Sequence, residues 1–214
     1  MAKLYSNFNS RCKSYDNRIV AIIKNKSAIN DWEFNYLTEV LISDIWQSWC
    51  YFTRRLVMSS CRGTRARDKS VIKARSADNS WKRLGYEAKQ ALRNQRATPT
   101  GHTNFLIRLE PTWGDLNNII RIITALNPSN QNTLLSSYGS FSQLKDLQLV
   151  RNACAHKNIE TINSLSPLGS RYSFSTLNCA PEVAWATVNG SKYFAIERWL
   201  YEMKMISYLA TEKS

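Results

Sequence analysis

Glycine is scarce in this chain, with seven residues in 214. None of them forms a Gly-x-Gly-x-x-Gly or Walker-type segment. That removes the backbone cradle with which dinucleotide- and triphosphate-binding folds hold phosphate. Gly-x-Ser-x-Gly is also missing, and with it the sharp strand-to-helix turn of common serine hydrolases. Histidine occurs only at positions 102 and 156. Neither sits in a cluster of cysteines or carboxylates, so a metal centre has no ligand supply. Glu39 and Asp44 are five apart, a poor spacing for one shared cation, and read as solvated or ion-paired helix residues. The five cysteines (12, 50, 61, 154 and 179) are odd in number and include no Cys-x-x-Cys pair. They read as reduced thiols, most of them buried, in place of a disulfide framework. No apolar run reaches the 18 residues of a membrane span. The first residues lack the apolar core of a secretion signal, so a cytoplasmic protein without metal or cofactor is expected.

Acidic residues are few, 16 against 29 lysines and arginines, for a net charge of +13. The imbalance is local. Between positions 54 and 96 there are thirteen basic residues and three acidic ones, a net +10. Charge runs often only keep a surface wet, but one this one-sided points to a polyanion, and nucleic acid is the first choice. A membrane surface fits less well, because 62–79 lacks the apolar face that an interfacial helix needs. Arg54 and Arg55 near a helix end, and Arg62, Arg65 and Arg67 beyond it, are the candidate phosphate contacts.

The apolar pattern predicts a mainly helical chain of one domain spanning 1–214. A first helix covers 4–24. Asp31 is expected to cap a second, whose apolar positions Leu37, Leu41, Ile45, Trp49, Phe52 and Leu56 step by three or four through more than five turns. This is the core spine, and Trp32, Trp46 and Trp49 on it read as packing residues. Arg62-Gly63 ends it. A basic loop insertion follows at about 62–79, then a short helix from a Ser80 cap to 92. Positions 96–111 read as a loop in which His102 is a surface residue without a partner. An amphipathic helix spans 112–126 with Leu116, Ile119, Ile120 and Ile123 on one face, and Asn127-Pro128 stops it. Pro167-Leu168-Gly169 reads as a loop. Positions 183–188 and 192–196, joined by Asn189-Gly190, read as a small β-hairpin with a type I′ turn. A last helix covers 197–209.

The densest chemistry lies in Arg151-Asn152-Ala153-Cys154-Ala155-His156, on a helix that Ser140 or Ser142 can cap. Leu144, Leu147, Val150 and Cys154 recur at helical spacing and mark the core side. Asn152 and His156 are four apart and nearly in line, and Ala155 lies four after Arg151. Arg151 and His156 are separated by about 140° of helical rotation, at the two edges of one strip with small alanine between. An arginine fork binds phosphate oxygens, and an imidazole exchanges protons near neutral pH. The bland alternative is an ordinary helix end, where Arg and His interact well with the dipole.

Through Arg151, Asn152 and His156 the chain resembles the HEPN superfamily, helical domains whose hallmark is Arg, a polar residue, three residues and then His. Where some subfamilies carry Tyr two residues after the His, this chain has Asn158. The resemblance implies an all-α, HEPN-like bundle with one long core helix, here carrying a small hairpin near the C-terminus. It implies a metal-independent endoribonuclease of toxin or antiphage type. Arg151, His156 and Asn152 would be its catalytic residues, shared across a homodimer formed through the motif helices. Lys157 joins Arg54, Arg55, Arg62, Arg65 and Arg67 as an RNA contact, and an antitoxin or sensor protein is a possible further partner. A non-catalytic RNA-binding or partner-binding domain is the alternative.

Overall fold

The computed structural model describes residues 1–174 and 176–212. Nine α-helices are present among them: α1 (Ala2–Asn25), α2 (Asp31–Arg62), α3 (Trp81–Leu92), α4 (Leu116–Leu126), α5 (Gln131–Gly139), α6 (Leu144–His156), α7 (Ile159–Asn163), α8 (Glu182–Trp185) and α9 (Ala195–Ala210). The fold is mainly α with one small hairpin, β1 (Thr64–Arg65) and β2 (Val71–Ile72), paired antiparallel. The described residues group into two compact units. One contains 1–8, 49–141 and 206–212, and the other Asn9–Ser48 with Ser142–Met205.

In the first unit the C-terminal half of α2 supplies the core. Phe8 stacks on Phe52 at 4.4 Å, and Trp49 packs against both Phe52 and Tyr138. These rings keep their polar atoms satisfied, as burial demands. The Trp49 indole donates to the Gly114 carbonyl at 3.2 Å, and the Tyr138 hydroxyl donates to Thr53 at 3.2 Å. Gly63 ends α2 with φ +81°. Beyond it, within the stretch expected as a loop, 64–72 form the β1–β2 hairpin, and 73–79 are irregular. Ala66 and Ile72 are buried, and Asp68 accepts from the Ser70 amide at 2.9 Å in the turn. Two apolar residues and one Asx-type contact were enough, and they are easily lost among charges in the sequence. Ser80 caps α3 as expected, accepting from the Arg83 amide. α4 starts four residues later than its periodicity suggested, because Asp115 is its cap and accepts from the Asn118 amide at 3.1 Å. Asn127 closes α4 in the left-handed region. His102 is not alone: its Nε2 lies 3.2 Å from Asp78.

In the second unit the N-terminal half of α2 buries Leu41, Ile42 and Ile45, while Trp46 is 4% exposed. Asn30, rather than Asp31, caps α2 by accepting from the Glu33 amide at 2.9 Å. Trp32 departs from its expected role as a packing residue and is 74% exposed. α1 is tied to α2 by Tyr15, whose hydroxyl meets Ser48 at 2.6 Å, and by the Arg18–Asp44 pair at 2.7 Å. α9 buries Trp199, Leu200 and Met203. Residues 166–170 form a 3-10 turn around Pro167 rather than an open loop. Positions 182–185 are helical, so the strand pattern there shrinks to two isolated bridges, Tyr172 with Val188 and Thr187 with Phe194. The Asn189-Gly190 turn is present, with only Gly190 at positive φ, +75°. That is the sign pattern of a type II turn, not of type I′.

Two outcomes are expected on stability. A Cβ built on Gly63 meets the Ala74 amide nitrogen at 2.8 Å, whereas one built on Gly190 meets nothing within 4 Å. Gly63→Ala should therefore cost about 2–4 kcal/mol and Gly190→Ala about 1 kcal/mol in urea unfolding, since both incur the left-handed penalty but only one adds overlap. Second, burial raises the Glu202 carboxyl above the ordinary range, against the opposing backbone bonds from α6. The native state then holds its proton more tightly than the unfolded chain. That stabilisation is complete below the unfolded value and is lost as pH rises through the native one. Glu202→Gln should gain stability relative to wild type as pH climbs above about 4.3, the value of Glu in the unfolded chain.

Candidate functional site

α6 is held from its start by buried polar contacts. Its first amide, Leu144, donates to Glu202 of α9 at 3.2 Å. Neither Ser140 nor Ser142 caps it. Gln143 occupies the cap position without a side-chain bond, so a distant carboxylate serves where a local hydroxyl was expected. In the first turn Asp146 is 1% exposed. It accepts from the Tyr172 hydroxyl at 2.7 Å and from Arg171 at 2.9 Å, and Trp199 donates to the same Tyr172 oxygen at 3.0 Å. Burial raises the Asp146 carboxyl despite the hydroxyl and the guanidinium, and pushes Tyr172 upward too.

With Leu144, Asp146, Leu147, Val150, Ala153 and Cys154 buried, the opposite side of α6 is fixed. Arg151 and Asn152 are half-buried, and Ala155 and His156 are exposed. This is the strip that helical spacing laid out. Arg151 donates from Nη1 to the Asn152 Oδ1 at 3.2 Å. No carboxylate lies within ion-pair distance of Arg151 among the described residues. His156 is the last residue of α6, and Lys157 turns the chain in the left-handed region at φ +47°. Cys154 faces inward, and burial raises its thiol to about 12.

Arg151 opens on a cleft of about 210 Å³ against α2, which Tyr36, Glu39, Val40 and Ser43 line together with Cys154 and Ala155. Glu39 is already committed there, pairing with Lys157 at 2.8 Å. The hydrogen bond and the charge of Glu39 raise the Lys157 ammonium. Asp44 is likewise engaged, by Arg18. Among the described residues no three His, Cys, Asp or Glu side chains come together as a metal site.

The other expected RNA contacts belong to the first unit. Arg54 is bound in both directions by Glu110, at 2.5 and 2.7 Å. The Glu110 side chain is buried, and it also accepts from the Trp113 indole at 2.9 Å. Arg67 is similarly occupied. It pairs with Glu212 at 2.5 Å and lies 3.9 Å from the centre of the Tyr208 ring. Arg75 and Arg83 share Glu87. Four arginines of the basic run are thus internal struts. Arg55 and Arg62 are different. Both are exposed, neither has a carboxylate partner among the described residues, and both guanidiniums lie against Trp81, at 5.2 and 4.7 Å from its ring. Arg65 is exposed on β1. Trp81 had no signal in the sequence beyond its place after a helix cap.

No helix among the described residues is long and apolar enough to cross a membrane. None of the five cysteines forms a disulfide. Comparison with protein-family models, with curated proteins and with solved structures finds no match to this chain.

Proposed function

We propose that this chain is a metal-independent endoribonuclease of HEPN type that works in the cytoplasm as a toxin or antiphage effector. The observation that carries the reading is the layout of α6. Arg151 is steadied by Asn152 and has no carboxylate partner among the described residues, beside an exposed His156 on the same helical strip. RNA brings its own nucleophile, the 2′-hydroxyl next to the scissile phosphate. Cleavage then needs a base for that proton, an acid for the 5′ oxygen and positive charge on the phosphorane. His156 serves as base or acid, Arg151 holds the phosphate, and Asn152 orients the guanidinium. One histidine per chain fills only one proton role. A homodimer through the motif helices brings a second, and exposed Ala155 leaves room for close approach. Arg55, Arg62 and Arg65 supply further attraction for the RNA backbone, and an antitoxin or sensor protein would restrain the activity.

One observation favours the alternative of an RNA-binding domain without catalysis. Glu39, although paired with Lys157, puts a carboxylate in the lining of the cleft on which Arg151 opens. The two readings separate in one assay.

Purified protein incubated with end-labelled RNA in EDTA should cut it and leave 2′,3′-cyclic phosphate ends. His156→Ala and Arg151→Ala should each lower the rate at least about 100-fold, the usual reach of a general acid–base group, with circular dichroism unchanged. Salt-sensitive RNA binding without cleavage, indifferent to both substitutions, would establish the alternative instead. If the site is shared, activity per molecule should fall on dilution together with the dimer fraction seen by light scattering. Constant specific activity from a monomer would reject the shared site.

A further inference from the structure

α2 carries three tryptophans in its first nineteen residues and treats them differently. Trp46 and Trp49 are buried, while Trp32 leaves 74% of its surface in water. Burying an indole is among the largest gains a side chain offers. Leaving one exposed therefore calls for a use. Trp32 is not loose, since it lies parallel to Tyr36, with centroids 5.5 Å apart and planes 3° from parallel. Tyr36 is itself 53% exposed. The two are one helical turn apart, and the same stripe continues through Val40 and Ser43. Tyr36, Val40 and Ser43 line the cleft on which Arg151 opens. A pre-stacked aromatic pair thus leads to the cleft on which the guanidinium of the motif opens, held there by Asn152.

We infer that Trp32 and Tyr36 form a stacking platform for an unpaired nucleobase of the RNA strand whose phosphate Arg151 holds, so that the substrate class is single-stranded RNA. The inference rests on the ribonuclease reading for the identity of the strand. Every base has a π-face, so stacking on an aromatic ring tolerates sequence but requires the base to be out of a duplex. The pairing of Trp32 with Tyr36 holds both rings in orientation before the ligand arrives, which reduces the ordering cost of binding. The cation and the ring face then divide the nucleotide between them, phosphate to Arg151 and base to the platform.

The test uses the full-length His156→Ala protein with a fluorescent unstructured 12-nucleotide RNA and a hairpin duplex of matched composition. Trp32→Ala should weaken single-strand binding about tenfold and Tyr36→Ala several-fold, in line with measured base–aromatic stacking. Duplex binding should stay unchanged, and Trp32→Phe should retain most of the affinity. Both side chains are exposed, so thermal unfolding should match the parent protein. Single-strand affinity within twofold of the parent in Trp32→Ala, or equal losses on single strand and duplex, overturns the inference. A change of oligomeric state in light scattering with RNA affinity intact also overturns it, since the pair is then a protein contact. Failure of the ribonuclease reading looks different: wild-type protein leaves RNA uncut in EDTA while the Trp32→Ala binding defect persists. Conversely, cleavage whose KM is unmoved by Trp32→Ala removes the platform and leaves the nuclease.

Discussion

The rotation of one helix about its own axis decides what this chain can present to a ligand, and a buried polar network sets that rotation. Asp146 cannot leave the interior without abandoning Tyr172 and Arg171, and the Leu144 amide cannot leave Glu202. Hydrophobic packing alone tolerates a helix turned by some tens of degrees, because leucines and valines are forgiving of direction. Hydrogen bonds are not, and an unmade one in the interior costs its full desolvation. With Asp146 pinned inward, Val150 and Cys154 follow by helical spacing, and Arg151, Asn152, Ala155 and His156 have only the outer strip left. Tyr172 is the hub, since it donates to Asp146 and accepts from Trp199. The network thereby ties α6 to α9 and to the segment after the 3-10 turn in a single arrangement.

Net charge read along the chain overstated what the surface offers. Ten of the thirteen excess charges fall between positions 54 and 96, yet the fold spends much of that charge on itself. Arg54 is neutralised by Glu110 and Arg67 by Glu212, while Arg75 and Arg83 share the single negative charge of Glu87. Gly85 belongs to the first of these pairs, since a Cβ there would lie 2.8 Å from the Glu110 carboxylate. Two of the carboxylates, at 110 and 212, lie outside the basic run and so could not be counted against it. A pair as buried as Arg54–Glu110 is weak evidence for stability, but removing one partner is severe, and this makes Arg54 a poor choice for a ligand contact. The exposed arginines left over include Arg55 and Arg62, whose guanidiniums are arrayed on Trp81. Stacking on an indole keeps an arginine extended and its fork accessible.

The helical class, the long spine of α2, the Ser80 cap and the stop at Asn127-Pro128 were legible because each rests on local physics that periodicity and capping chemistry express directly. The outer strip of α6 was legible for the same reason. What the sequence concealed depends on partners far away in it. Glu202 caps α6 from 58 positions off, and no local pattern announces that. His102 gained Asp78 across a loop. The 64–72 hairpin was masked by charge, and 182–185 alternated like a strand while packing as a helix. Trp32 was misjudged by its place in an otherwise correct spine. It lies before the first buried turn of α2, where the apolar stripe reads on but has nothing to cover it.

The preparation of Arg151 shows what a single amide can contribute. A guanidinium on the surface carries about 2 kcal/mol of rotamer entropy that binding must remove. Asn152 takes one of the five N–H groups at 3.2 Å and leaves the others, so the fork is partly ordered without being discharged. A carboxylate in that place would order it further but cancel the charge, as Glu110 does for Arg54. The chain thus contains both solutions to holding an arginine. A buried acid holds Arg54 as a strut, and a neutral amide holds Arg151 without cancelling its charge.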